Sequence, residues 1–254
     1  MGRWYGSCVF ETTLTQLHNT HTTPQLNNNN NTILNASHQQ SNTGTDDDFY
    51  DRSFVSILTY AVLASDVRST KQICDRIDEM YPLKHDEMRM KLLVSLTPTA
   101  GYVSKQIEML GIPSGQTTLN LAMFFSNVEV VTILLDKGVS PYLVSAGQGL
   151  DAVMCGAITG NIENLRYFLT RYPDWDMSRR LKITGSSVLH VTVLLGANKL
   201  EVVKLLVEKG ASPDMLSYSG SSVLINAVEN VDSDPHVVEF LLECASSDRG
   251  VNYR

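Results

Sequence analysis

A glycine recurs at Gly115, Gly149, Gly185 and Gly220, at separations of 34, 36 and 35 residues. This spacing restricts the fold more than any other feature of the chain. A period in this range belongs to arrays of short helical or mixed units that bury apolar surface only by stacking on their neighbours. Two residues after each glycine stands Thr117, Asp151, Ser187 or Ser222, a side chain able to accept a hydrogen bond from the open N–H groups of a starting helix. Two further on come Leu119, Val153, Leu189 and Leu224, and three beyond those the small residues Ala122, Gly156, Thr192 and Ala227. An apolar residue followed by a small one at that offset fits a helix packed closely against another.

A second helix follows in each unit, beginning at "NVEVVTILL", "NIENLRYFL", "NKLEVVKLL" and "DPHVVEFLL". Asn127, Asn161 and Asp234 stand where they can cap it, and Pro235 occupies the first helical position, where a missing N–H costs nothing. Glu129, Glu163 and Glu201 lie near the positive helix start, and Lys137 and Lys209 near the negative end. Gly138 and Gly210 supply the left-handed residue that stops the helix. The near-identical segments "VVTILLDKGVSP" and "VVKLLVEKGASPD" are therefore a helix end and a turn written twice, and Val202, Leu205 and Leu206 are expected in a seam between units.

"GQTTLNLA", "GSSVLHVT" and "GSSVLINA" resemble the G-x-T-P-L-H-x-A signature of ankyrin repeats, and "LLDKGVSP" and "LLVEKGASPD" resemble that family's closing L-L-x-x-G-A-D-V-N. The resemblance implies an all-α, ankyrin-type solenoid of stacked helix-turn-helix repeats. Four units are expected, at about 115–148, 149–184, 185–219 and 220–254. The proline after the threonine is replaced by Thr118, Ala152, Val188 and Val223. Two extra residues separate the helices of the third and fourth units, and the second unit has a long exit, "RYPDWDMSRRLKIT".

Residues 49–114 are expected to hold two degenerate or capping units. Leu58 and Ala61 occupy the relative positions of a first helix, Ile73 that of a second, and Gly111-Ile112-Pro113 resembles the close at Gly138. Residues 1–48 read as a disordered tail rich in Asn and Thr, too poor in apolar residues to offset the entropy of ordering. His18, His21, His38 and Asp46 to Asp48 lie there without the spacing of a metal site.

No residue set points to catalysis, a cofactor or a metal. Cys8, Cys74, Cys155 and Cys244 are scattered without a CxxC pair, which suits free thiols in a reducing compartment. Cys155 has no nearby base. The glycines of "SAGQGLDAVMCGAITG" follow the repeat frame and no phosphate-loop lysine accompanies them. His190 lies inside a strong motif; the resemblance implies a structural ring that links neighbouring turns. The aligned Asn120, Met154 and Ile225 share no chemistry with it.

A net charge of -7 and no extended Lys/Arg cluster argue against a nucleic-acid partner. No apolar run reaches the roughly 18 residues of a spanning helix, and "MGRWYGSCVF" lacks both an export core and the myristoylation spacing. An intracellular protein, cytoplasmic or nuclear, is expected. What remains is a surface.

The resemblance implies protein or peptide binding through the turn tips and the concave inner face of the first helices. The candidate contact residues are Met123, Phe124 and Phe125 at one helix end, Tyr142 and Leu143 on one tip, and Met215, Ser217 and Tyr218 on a later tip. Phe124 and Phe125 fit equally a packing role against the next unit. Asp174, Trp175 and Asp176 form a further candidate patch. The leading expectation is a non-enzymatic interaction scaffold. The apolar last helix, with Val237, Val238, Phe240 and Leu241, motivates an alternative, the regulatory portion of a longer multidomain enzyme or channel. A structural spacer is a third reading.

Overall fold

The structure is a computed structural model that describes residues 57–94 and 115–248, with side chains described through Cys244. The expected tail at 1–48, the Gly111-Pro113 close and the residues beyond 248 lie outside the described residues. Among the described residues there are eleven helices: α1 (57–63), α2 (Val67–Met80), α3 (Glu87–Val94), α4 (Thr118–Phe125), α5 (Val128–Asp136), α6 (Ala152–Thr159), α7 (Ile162–Arg171), α8 (Val188–Leu195), α9 (Lys199–Glu208), α10 (Val223–Glu229) and α11 (Pro235–Asp248). No strand occurs among the described residues, only isolated bridges Arg180–Ser187 and Leu216–Ser222 at two tips.

The caps sit where the sequence places them. Thr117, Asp151 and Ser222 accept from the backbone N–H three residues on, at 3.1, 2.9 and 3.2 Å. Asn127 and Asn161 do the same for α5 and α7, each at 3.1 Å. Asp234 caps α11 by accepting from His236 N–H. Asn198, by contrast, takes a left-handed conformation before α9 and makes no side-chain cap, because the inserted residues turn the chain differently there. Gly138 and Gly210 end their helices at φ +90° and +94°, a conformation that costs glycine little.

The helices form two layers. α4, α6, α8 and α10 pack side by side in one, and α5, α7, α9 and α11 in the other. This is the all-α repeat solenoid that the sequence predicts. Interior first helices are covered on both sides, so every residue from Val188 to Val193 in α8 is buried. The seam residues Val202, Leu205 and Leu206 are at most 2% exposed. Each fully buried leucine of this kind contributes roughly 1.5–3 kcal/mol of transfer free energy.

The α1/α2 pair stacks directly on α4/α5. Ser126 Oγ donates to Val62 O, and Ser65 Oγ donates to Phe125 O at 2.9 Å. α2 and α5 are clasped by charge: Lys137 Nζ meets Asp75 and Asp78 at 2.5 and 2.6 Å, and Arg89 of α3 reaches both Asp78 and Lys137 O, each at 2.7 Å. No helix pair stands between these two units among the described residues; α3 packs alongside α2 and α4. Among the described residues the α1/α2 pair abuts the strong units directly, and most of the second expected unit lies outside the described residues.

Candidate binding surface

Each tip is a short hairpin-like turn across which a backbone bond runs: Ser145 N to Leu150 O at 2.8 Å, Leu181 N to Ser186 O at 2.9 Å, and Ser217 N to Ser221 O at 3.0 Å. Neighbouring tips are joined by another: Ala146 N to Gly115 O, Lys182 N to Gln148 O, and Tyr218 N to Thr184 O, at 2.9–3.0 Å. The tips therefore form a continuous row with fixed spacing. Side chains beneath them hold this row in place. His190 Nε2–H donates to Ser221 O at 3.0 Å, while its Nδ1 accepts from Ser187 N–H at 3.2 Å. Only the neutral ring protonated on Nε2 satisfies both bonds. Burial accordingly pushes the His190 pKa below its ordinary value, with Arg180 assisting and the Ser221 bond opposing.

Asn120 performs the same task two units earlier. Its Nδ2 donates to Leu150 O at 2.9 Å, the carbonyl that corresponds in register to Ser221 O. Sequence reasoning set Asn120 aside as chemically unlike His190; the shared property is a donor of the right reach. Met154 cannot make that bond, so the carbonyl of Ser186 is served by Leu181 N–H alone among these two kinds of donor.

The contact residues expected from the sequence divide cleanly. Met123 and Phe124 are 0% and 5% exposed, so neither is available as an exposed anchor. The expectation is corrected for both: they lie on α4 between two flanking units, and the close α4–α6 packing covers them. Phe125 is half-buried and stacks on Phe124 with ring centroids 5.5 Å apart. Tyr142 and Tyr218 are 61% and 68% exposed, Leu143 is at the edge of exposure, and Met215 and Ser217 are half-buried.

Trp175 is also buried, between Phe168 at 5.0 Å and Tyr142, which stacks parallel to it at 5.4 Å. The long exit of the second unit folds back to bury an aromatic cluster. Its Asp174 and Asp176 stay exposed. Asp176 is held below the ordinary carboxylate range by bonds from Ser178.

Several surface residues escaped the sequence reading. Ile183 is 72% and Leu216 51% exposed, on the second and third tips. Arg179, Arg180 and Lys182 lie beside them. The signal was present in "RRLKIT", which falls in the same part of the frame as the other tips but was read only as an elongated exit. Arg179 donates to Tyr142 O, sits 4.9 Å from the Trp175 ring centroid, and pairs with Asp151 at 3.2 Å. Burial pushes the Asp151 carboxyl up, against the pull of the Met154 N–H and Arg179.

Cys74 and Cys155 are not poised as nucleophiles. Cys74 and Cys155 are fully buried; burial pushes Cys74 up to about 12 and Cys155 well above its ordinary value. Among the described residues no three His, Cys, Asp or Glu side chains gather as a metal site, and no helix is long and apolar enough to cross a membrane.

Comparison with known families adds one finding. The ankyrin-repeat family model matches residues 184–218, which is the unit opened by Gly185. No curated protein matches the chain.

Proposed function

Because this chain belongs to the ankyrin-repeat family, whose repeats generally mediate protein–protein contact, we propose that it is a non-enzymatic scaffold that binds a protein or peptide. The surface is the row of tips and the adjoining ends of the first helices. One observation carries the reading: Tyr142, Ile183, Leu216 and Tyr218 expose 51–72% of their area on three consecutive tips that backbone hydrogen bonds lock together. Large apolar and aromatic side chains held rigidly at a surface contribute contact area at little entropic cost, which makes them effective anchors. Leu143, Met215 and Ser217 complete the surface. An intracellular setting, in cytoplasm or nucleus, suits the free buried thiols.

The test is selection of displayed peptides or protein fragments on the full chain, followed by affinity measurement on a Tyr142→Ala/Tyr218→Ala variant. A loss of tenfold or more, about 1.4 kcal/mol, is expected in a variant that still melts cooperatively. Equal affinity in the variant would place the contact elsewhere.

A further inference from the structure

The charges on the tips are unevenly placed. Residues 139–150 of the first tip carry no acidic or basic side chain, and residues 211–222 of the third carry only Asp214. The second tip has Arg179, Arg180 and Lys182 within four residues, on a chain whose net charge is -7. Asp151 compensates Arg179. Arg180 uses Nη1 to hold two carbonyls, Gly185 O and Leu216 O, and it meets no carboxylate among the described residues. Lys182 lays its methylene stem across Gly149, where an added Cβ would lie 2.9 Å from Lys182 Cγ, and its exposed ammonium has no ion pair among the described residues. The nearest acidic residues of this segment are Asp176, bound by Ser178, and the exposed Asp174.

These two cations are bordered by apolar surface. The Tyr218 ring packs against Gly185, its Cδ1 2.3 Å from where a Cβ there would stand. This brings the third tip's aromatic side chain onto the second tip, beside Arg180 and the exposed Ile183. The two cations of the second tip are thus flanked by apolar side chains of the second and third tips, in a row whose spacing is set by backbone bonds.

We propose that the row binds an extended acidic peptide, its carboxylates meeting Arg180 and Lys182 and its apolar side chains lying against Ile183, Leu216 and Tyr218. The proposal rests on the reading of the tips as the binding surface and adds the partner's chemistry. Guanidinium and ammonium groups both match carboxylates, and charge complementarity of this kind selects among partners and speeds encounter. A phosphate backbone is the less fitting occupant. It would meet only two uncompensated cations, amid large apolar side chains, on an acidic protein.

A random displayed-peptide library is selected on the full chain and, separately, on Lys182→Glu, with circular-dichroism melts to establish that both are folded. The wild-type pool should be enriched in Asp and Glu interspersed with apolar residues. A labelled peptide from that pool should bind Lys182→Glu about tenfold or more weakly, bind Lys182→Arg almost as well as wild type, and weaken several-fold between 50 and 300 mM salt. Tyr218→Ala should weaken it without changing the salt dependence. A wild-type pool with no acidic bias, or one that binds Lys182→Glu equally, overturns the proposal and leaves the scaffold reading standing. Failure to select any peptide or fragment removes both. A labelled DNA duplex that binds with the same affinity and the same dependence on Lys182 would also overturn it, by making the patch a phosphate site.

Discussion

His190 is fully buried yet bonded through both ring nitrogens, and those bonds require the neutral ring. An unfolded histidine takes up its proton near pH 6.5, whereas the folded ring, with its depressed pKa, resists until lower pH. Between those values the unfolded state binds more protons, so stability rises with pH. The contribution is complete above about pH 6.5 and is lost as pH falls below it, by at most about 1.4 kcal/mol per pH unit.

Urea melts at pH 7.5 and 5.5 check this, with His190→Asn as the comparison, since Asn120 already makes the equivalent bond with an amide. The variant should lose less stability than wild type over that interval. An identical pH dependence would show that another group titrates. The structural role of His190 was legible through its motif. That of Asn120 was not, because reach and donor geometry, rather than residue class, decide which side chain can meet the next tip's carbonyl.

Among elements, the same residue type has different worth according to its neighbours. Leu189 and Leu224 occupy one register position in α8 and α10, but Leu189 is 0% exposed and Leu224 only half-buried. α8 lies between α6 and α10, whereas α10 has a first-helix neighbour on one side only among the described elements. Leu189→Ala should cost about 2–5 kcal/mol, as expected for a cavity in a closed core. Leu224→Ala should cost less than half as much, because solvent and relaxation fill the space. Denaturant melts of the two variants decide the point, and equal losses would mean that α10 is covered as fully as α8.

The helices and their caps were readable because they depend on residues close in sequence: Thr117, Asp151 and Ser222 each bond three positions on. The burial of Met123 and Phe124 was not, since it follows from which helix lies across α4.

At the scale of the whole molecule, the stack is unevenly covered among the described residues. Ile225, Val228 and Leu242 are 46%, 58% and 49% exposed, whereas the register-equivalent Met154, Val193 and Leu169 are at most 2% exposed. In a linear array each unit draws its stability from its own helices and the interfaces it shares. Amides of α10 and α11 should therefore exchange with solvent deuterium well before those of α6 and α8, a difference that exchange measured by mass spectrometry resolves by peptide. Uniform protection along the stack would contradict the uneven closure.

The other end behaves differently, because the clasp of Lys137 and Arg89 on Asp75 and Asp78 ties α1/α2 to the array. Burial raises the Asp78 pKa, but the bonds from Lys137 and Arg89 outweigh it and hold the carboxyl below its ordinary range.

The sequence by itself determined the period, the helix pairs, their caps and stops, and the apolar seam, since each depends on residues a few positions apart or on a pattern repeated in phase. Only the tertiary structure decided that α1/α2 abuts α4/α5, that Trp175, Met123 and Phe124 are covered, and that Arg180, Lys182, Ile183 and Tyr218 share one surface. Those facts depend on which residues distant in the chain come to lie against one another. Periodicity fixes the face a side chain takes on its own helix, and only the neighbouring unit decides whether that face remains open.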